Sequence, residues 1–385
     1  MIEQRTYLAE LSGGTKVQER GWHLLRMGRY LKRRSGRIYF NFGESISYVK
    51  TLQRAAPEIG SPTALTDAAK PALVRELAST IMYAMNREAV VTPAALVATA
   101  LLTPMQRAVT ETELLDIVDQ LCRYLQWKGA KFSEPLQRDR EEALREVLQR
   151  LASGPSRLIS RHEAFQPVCY ALEEGRRLQL DYSKNTIIHF FASLGCLAVL
   201  LRTRFLHGEE EIVVAKLEGD YERLKRLFQE EFTFSTRLKP IEHITRLVQY
   251  LREAGLVEAS EADEACIRVT PPGATRLRLF SGLLRNFFES YKVALLAGLQ
   301  IPSAGLEEKA LVKMMIRYGE HLLLLGRIRC PEAISQANFQ NAIRAYKTIG
   351  LFSESGDQLK GKKVLIWQGD NPEGAQLQQA LEEWC

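Results

Sequence analysis

The side chains that could do acid–base chemistry are most concentrated at the start of the chain's most apolar segment. They are a carboxylate, a phenol, an amine, an amide and an imidazole: Asp181, Tyr182, Lys184, Asn185 and His189. An imidazole can serve as a general base or a metal ligand, because its ordinary pKa lies close to physiological pH. In an apolar segment, however, a histidine is more often a hydrogen-bonded core residue. The pattern favours that structural role for His189 and leaves a ligand or base as the alternative.

These residues adjoin an apolar run from Ile187 to Leu201 that only His189 and Ser193 interrupt and that ends before Arg202. A membrane-spanning helix needs roughly 18 or more consecutive apolar residues. This run is shorter and contains a histidine near its start. We therefore expect a buried central helix in a soluble core, with a membrane span as the alternative.

Four segments carry a resemblance to a known family. Residues 180–191, LDYSKNTIIHFF, resemble the "LDYYKNNIIHFF" segment in the C-terminal half of bacterial and mitochondrial glycerol-3-phosphate acyltransferases. Residues 36–44, GRIYFNFGE, resemble the family's "GRVYVNFGEPI" strand, although Ser45 stands where proline is usual. Residues 92–102 resemble its "TPVSLVATALL" helix, and residues 5–16 resemble the segment just after its catalytic motifs. The resemblance covers roughly the whole chain.

The catalytic residues of that family cannot be carried over to this chain. The family uses a histidine as general base on the glycerol hydroxyl, with an aspartate five residues later to orient the ring. Five residues after the six histidines of this chain stand Gly28, Pro167, Leu194, Ile212, Val248 and Gly326. The family's Gly-x-x-Phe-Ile-Arg block is also missing, and the superficial phosphate-motif match at residues 174–177 lies far from where that motif belongs. The sequence therefore predicts no catalytic residue here and leaves open whether the protein is an enzyme.

The sequence contains no motif of several other common kinds of site. There is no Walker-type phosphate loop, no dinucleotide-binding glycine motif, no nucleophile elbow and no His-x-x-x-His pair. The six cysteines are scattered and form no Cys-x-x-Cys pair. We expect no metal, no cofactor and no cleavable export signal, and a reducing cytosolic compartment.

Positive charge is concentrated at one end of the chain. The net charge is +6, and residues 1–50 alone hold ten Lys or Arg against four acidic side chains. Residues 17–34 are predicted to form a helix with one apolar and one basic side. Such a helix suits an anionic membrane surface, and a solvated surface helix is the alternative. The candidate membrane-binding residues are Trp22, Arg26, Arg29, Lys32, Arg33 and Arg34.

The hydrophobic patterns predict a mainly α fold: a helical bundle with short strands and with winged-helix-like units near the C-terminus. The resemblance implies a remnant α/β acyltransferase edge at the N-terminus. Alternating Ile38, Phe40 and Phe42 predict a half-buried strand at that edge. Thr92 before Pro93, and the Thr110-x-x-Glu113 box, predict helix starts. Two segments, residues 241–270 and 339–367, each show a helix, a Gly-Leu turn and a hairpin, as in a winged helix. We expect three domains, at residues 1–50, 51–235 and 236–385.

The resemblance implies a role in phospholipid biosynthesis. The chain would be the non-catalytic C-terminal part of a glycerol-3-phosphate 1-O-acyltransferase-like protein, cytoplasmic and peripheral to the inner membrane. It would scaffold transfer from acyl-CoA or acyl carrier protein, which it would meet only through a separately encoded catalytic partner. The alternative is a non-enzymatic winged-helix-like module that binds nucleic acid or protein. A nucleic-acid reader should carry basic residues on its recognition helix, yet the helix after Ile241 balances Arg246 and Arg252 with Glu242 and Glu253.

Overall fold

The structure is a computed structural model that describes residues 37, 39–55, 67, 70–154, 157–164, 166–173, 175–235, 238–260, 263, 265–357, 362–369 and 372–385. The predicted basic helix, with Trp22, Arg26, Arg29, Lys32, Arg33 and Arg34, lies outside the described residues. The described part is mainly α-helical, as predicted, with short two- and three-stranded sheets.

The described chain begins with two helices and the first of three similar units. The opening helices and strand are α1 (Tyr48–Ala55), α2 (Lys70–Arg87) and β1 (Val90–Val91). The first unit comprises α3 (Pro93–Leu102), β2 (Ala108–Thr110), α4 (Glu111–Trp127), β3 (Lys131–Phe132), α5 (Glu134–Arg138), α6 (Arg140–Leu151), β4 (Ile159–His162) and β5 (Cys169–Leu172). Both predicted helix starts are confirmed: Thr92 caps α3 ahead of Pro93, and Thr110 and Glu113 form a reciprocal capping box on α4.

The other two units follow after a short helix. That helix is α7 (Arg177–Asn185). The second unit comprises α8 (Ile188–Leu206), β6 (Ile212–Val213), α9 (Glu218–Leu227), α10 (Pro240–Glu253), β7 (Val257–Ala259) and β8 (Cys266–Val269). After α11 (Pro271–Gly282), the third comprises α12 (Arg285–Gly298), β9 (Leu306–Glu307), α13 (Glu308–Leu324), α14 (Gln336–Thr348), β10 (Phe352–Asp357) and β11 (Lys362–Trp367). Helix α15 (Pro372–Trp384) closes the described chain.

The three units share one topology. In each, the first helix contacts the two later ones, and a three-stranded antiparallel sheet places the last strand between the first strand and its hairpin partner. This order of helix, strand, two helices and hairpin is that of a winged helix, and the first unit adds β3 and the short α5 between its two later helices. The two units predicted near the C-terminus are confirmed, and the structure adds a third at residues 93–172.

A repeated glycine turn joins the last helix of each unit to its hairpin. Gly154, Gly255 and Gly350 have φ of 81°, 69° and 78°, the left-handed conformation that a side chain rarely tolerates. After the latter two, the amides of Leu256 and Leu351 donate 2.8 Å hydrogen bonds to carbonyls five residues earlier. These bonds satisfy the last open carbonyls of the helix, so the same Gly-Leu pair ends the helix and starts the hairpin.

Helix α8 is the central helix that the sequence predicts. It is the one described helix that is long and apolar enough to cross a membrane. Its apolar side chains between Leu194 and Leu201 are at most 3% exposed because they pack inside the protein, chiefly against α11. Buried apolar residues form one continuous core from Val91 to Trp384. The division into domains at residues 50 and 235 stays a prediction.

The predicted strand at the N-terminal edge is wrong for the residues described. Residues 39–47 are neither helix nor strand, and Phe40 and Phe42 are 80% and 94% exposed. A strand forms only where a neighbour satisfies its backbone groups, and no described strand pairs with this segment. Side chains hold it instead: Arg37 pairs with Glu134, and the Asn41 amide donates a 2.8 Å hydrogen bond to the carbonyl of Glu88.

Candidate functional site

Three of the five predicted polar residues meet inside the protein. Lys184 Nζ lies 2.9 Å from Asp181 Oδ1, and both side chains are 4% exposed. The same ammonium donates a 2.9 Å hydrogen bond to Asn286 Oδ1 on α12. Asn185 donates to the other carboxylate oxygen of Asp181 at 2.9 Å. Since α7 places residues 181, 184 and 185 on adjoining positions of one helical turn, the short helix alone suffices to bring them together.

His189 lies apart from that group. Its Nε2 is 2.9 Å from the carbonyl oxygen of Asn86 on α2, and its ring contacts Phe190 with centroids 4.3 Å apart. Burial lowers the pKa of His189, against the opposing effect of the Asn86 carbonyl. A neutral imidazole that donates to this carbonyl has the structural role that the sequence favours. Tyr182 is partly buried beside the group.

The polar group belongs to a larger buried network that links α7 to the third unit. Arg177 donates to both carboxylate oxygens of Glu332, at 3.1 and 2.9 Å, and to the carbonyl of Leu102 at 3.0 Å. Glu332 is 2% exposed in its side chain. A bidentate contact between a guanidinium and a carboxylate pairs the two charges and also forms two parallel hydrogen bonds with a fixed geometry.

Helix α12 supplies the other side of the network. Glu289 Oε2 accepts hydrogen bonds from the amides of Arg329 and Cys330, at 3.0 and 2.7 Å. Burial raises the pKa of Glu289, against those two bonds. The Ser290 hydroxyl donates to the Ala333 carbonyl at 2.6 Å. The network therefore anchors the turn at residues 329–333 to α12.

Sequence reasoning missed the distant members of this network: Arg177, Asn286, Glu289, Ser290 and Glu332. A usable signal was present in α12, where Asn286, Glu289 and Ser290 interrupt an otherwise aromatic and aliphatic segment. A buried polar residue requires partners, so such interruptions indicate a network even when the partners are unknown. The described members of the network form hydrogen bonds and ion pairs with one another. This mutual pairing indicates that they position the helices rather than catalyse a reaction.

Neither metal binding nor thiol chemistry finds support among the described side chains. No group of three His, Cys, Asp or Glu residues there could hold a metal ion. Cys196 is fully buried on α8. Burial raises the pKa of its thiol to about 12, so the nucleophilic thiolate is not populated near neutral pH.

The first two helices present an unusual apolar surface. On α2, Val74, Ala78, Ile81 and Met85 recur at spacings of four, three and four residues, which places them along one side of the helix. All four are exposed, Val74 by 63% and Met85 by 62%. We call this row the α2 stripe. Exposed Phe40 and Phe42 lie on the segment that leads into α1, and exposed Tyr48 and Val49 are the first residues of α1, which packs on α2.

Comparison with known proteins shows which family the chain belongs to. The family model for the C-terminal region of glycerol-3-phosphate acyltransferase matches residues 7–355. The chain belongs to this family. It is 26% identical over 364 residues to the glycerol-3-phosphate acyltransferase of Pasteurella multocida (strain Pm70), covering 92% of this chain and 43% of the relative. It is 25% identical to that of Pseudomonas putida (strain W619), covering 93% of this chain and 42% of the relative. The chain thus spans less than half the length of the curated relatives it matches.

Membership in the acyltransferase family confirms the resemblance drawn from the sequence. The nucleic-acid alternative gains no support. Helix α6 carries three arginines and three glutamates, and α10 carries two of each. On α14, Arg344 pairs with Glu230, and Lys347 pairs with Glu308 and Glu354. On the last helix of each unit, glutamates on the same helix or in ion pairs with it therefore balance the positive charge, and the positive excess that a nucleic-acid reader presents is missing from these three helices.

Proposed function

We propose that this chain is the non-catalytic C-terminal part of a glycerol-3-phosphate 1-O-acyltransferase system in phospholipid biosynthesis, and that it scaffolds the acyltransferase domain. The observation that carries the proposal is the α2 stripe, together with the exposed side chains of Phe40 and Phe42. A row of exposed apolar side chains along one side of a helix marks an interaction site on a folded protein. The occupant is the acyltransferase domain, because the family segment at residues 36–44 resembles a strand of that domain.

Helices α1 and α2 each also have a side that is buried. Leu73 of α2 and Leu52 of α1 are 4% and 1% exposed, so each helix already has a buried side. The stripe is therefore a second apolar side, which an isolated surface helix does not need. Burial of three or four such side chains against a partner would stabilise the assembly by several kcal/mol, at about 1.5–3 kcal/mol for each fully buried side chain.

The remaining partners follow from this assignment. Acyl-CoA or acyl carrier protein would reach the chain only through the catalytic domain. The whole assembly would act on the cytoplasmic side of the inner membrane, peripheral to it. Residues 16–37 would supply affinity for anionic lipid, through Trp22, Arg26, Arg29, Lys32, Arg33 and Arg34.

A chimera tests the scaffolding role. The C-terminal region of the Pasteurella multocida relative is replaced by this chain, and acylation of glycerol-3-phosphate is measured in membranes that lack other such activity. We expect acyl transfer by the chimera and none by the relative truncated before the exchange point. Substituting Val74→Ser, Ile81→Ser and Met85→Ser in the chimera should lower activity by at least about tenfold, because apolar contact area is lost.

The matched control changes three exposed polar residues of α6 in the same way: Glu146→Ser, Gln149→Ser and Arg150→Ser. This control should keep the activity of the parent chimera. An inactive parent chimera, or equal activity of the stripe variant and its control, contradicts the proposal.

A further inference from the structure

A cleft of about 670 Å³ opens on another part of the molecule, where α8, α11, α12 and the end of α13 meet α15. Its lining is strongly basic, with side chains contributed by four separate segments. The cations are Arg202, Arg278, Arg285, Lys292, Arg327 and Arg329. We call this feature the arginine cleft.

The positive charge of the arginine cleft is only partly offset from within. None of its five arginines forms an ion pair with a described residue, whereas many other cations of the protein do. Two glutamates also line the cleft: Glu382 pairs with Lys292 at 2.6 Å, and Glu289, which accepts from the amides of residues 329 and 330, is also close enough to Arg285 for their charges to attract. Two carboxylates face six cations, so the cleft keeps an excess of positive charge. The unpaired charge is therefore available to a ligand.

The arginines are close enough to affect one another. The pKa of Arg202 is lowered by burial and by the neighbouring positive charges of Arg285 and Arg278. Arg202 and Arg285 are partly buried, whereas Arg278, Arg327 and Arg329 are exposed. Bringing like charges together costs free energy, and binding of a compact multivalent anion would offset that cost. Guanidinium groups suit phosphate because their planar donors match its oxygens in pairs.

An apolar rim accompanies this charge. Phe205 and Leu206, at the end of α8, line the cleft and are 40% and 62% exposed. Leu324 and Leu325, which directly precede the lining residues at 326 and 327, are 87% and 60% exposed. Large aliphatic side chains at such exposure beside a basic site are typical of a surface that enters the headgroup and acyl boundary of a bilayer.

We propose that the arginine cleft binds the phosphomonoester headgroup of a membrane lipid, with the apolar rim inserted among its acyl chains. A phosphomonoester carries up to two negative charges and three free oxygens, and so satisfies converging arginines better than a singly charged phosphodiester does. The cleft is lined by residues other than those of the α2 stripe, and the proposal does not depend on the scaffolding role.

The test is co-sedimentation of the whole chain with vesicles of phosphatidylcholine that contain either phosphatidate or phosphatidylglycerol at equal surface charge. We expect tighter binding to phosphatidate. The cleft variant, Arg278→Gln, Arg327→Gln and Arg329→Gln, should lose at least about tenfold of that affinity, because each basic group at a lipid surface contributes appreciably. Leu324→Ser with Leu325→Ser should weaken binding to both anionic vesicles.

The matched control removes three exposed arginines outside the cleft that also form no ion pair with the described residues: Arg150→Gln, Arg223→Gln and Arg226→Gln. It has the same net charge as the cleft variant, and both retain residues 16–37. Equal loss of phosphatidate binding in the two variants, or no preference for phosphatidate in the parent chain, overturns the proposal. A further outcome is that inorganic phosphate binds the cleft while the cleft variant binds vesicles as well as the parent chain does. That outcome would assign the cleft to a free phosphate and likewise overturn the lipid site.

Discussion

The buried pair of Asp181 and Lys184 shows how single residues determine stability in this protein. Removing one partner of a buried pair leaves the other charge uncompensated, which typically costs about 3–5 kcal/mol. We expect Asp181→Ala to lower the free energy of unfolding by about 3 kcal/mol, because Lys184 would keep only Asn286 as a hydrogen-bond partner. Denaturant unfolding monitored by circular dichroism measures the change.

The exposed pair of Glu142 and Arg145 is the control for that change. Its side chains are 53% and 57% exposed, so Glu142→Ala should cost less than about 1 kcal/mol. Replacing both buried partners, Asp181→Ala with Lys184→Met, should recover part of the loss because no charge is left buried. Equal costs for Asp181→Ala and Glu142→Ala would contradict the account of the network as buried and mutually compensated.

Glu231 gives a stability prediction that depends on pH. Burial raises its pKa from the ordinary 4.5 to about 7, against the opposing effects of Asn341, Tyr291 and Arg344. The folded chain therefore holds this proton more tightly than the unfolded chain. The contribution of the carboxyl to stability is complete below pH 4.5 and is lost as the pH rises through about 7.

We expect Glu231→Gln to remove this dependence. The variant should exceed the parent in free energy of unfolding by up to about 3 kcal/mol at pH 8, and by little at pH 4, where the parent carboxyl is already neutral. Urea unfolding of both proteins at several pH values measures the difference. A gain of the same size at both pH values would show that the carboxyl does not titrate as described.

Among the elements, α8 packs against α11 and the turn into α12 with little free space at Gly195. A Cβ atom at this position would lie 2.6 Å from Leu284 Cδ1, and Leu284 is fully buried. Gly195→Ala should therefore destabilise the protein by about 1–3 kcal/mol, as overpacking of a core does. Gly219→Ala on α9 is the control, since a Cβ there meets no atom within 4 Å.

Gly219→Ala should instead raise the free energy of unfolding by up to about 1 kcal/mol, because alanine has a higher helix propensity than glycine. Thermal unfolding of the two variants beside the parent measures both effects. A stabilising Gly195→Ala would mean that the two helices have room to separate, and the central position of α8 would then require another explanation.

Local patterns predicted the elements well where a few neighbouring residues determine them. The caps at Thr92 and Thr110 and the apolar length of α8 depend only on short spans of sequence. The first winged-helix unit escaped notice because its hairpin strands, at residues 159–162 and 169–172, are short and show no sustained alternation. At residues 39–42 the predicted strand was wrong because alternation indicates a strand only where a pairing partner exists.

The buried network and the arginine cleft could not be predicted for a different reason. Lys184 and Asn286 are 102 positions apart in the chain, and Arg177 and Glu332 are 155 apart. The charge of residues 51–385 is neutral overall, yet folding gathers five arginines from four segments into one cleft. Average charge along a sequence does not reveal a patch that tertiary structure assembles.

For the whole molecule, two surfaces of different chemistry follow from the fold. The α2 stripe is apolar and suits a protein partner, whereas the arginine cleft combines positive charge with an apolar rim and suits lipid. Residues that resemble the family's catalytic motifs are absent from the sequence, and His189 is committed to the Asn86 carbonyl. These features lead to a prediction about the activity of the chain by itself.

The purified chain should not acylate glycerol-3-phosphate. A general base must lie within hydrogen-bond reach of the hydroxyl it deprotonates and must be free to accept its proton, and the described histidines offer no His–Asp pair of the family kind. Incorporation of labelled glycerol-3-phosphate into lipid, with palmitoyl-CoA as donor, measures the activity, and the Pasteurella multocida relative serves as the positive control. Transfer above the protein-free blank that His189→Ala abolishes would overturn both this prediction and the structural role of His189. Activity that appears only in the chimera would place the chemistry in the acyltransferase domain and the support in this chain.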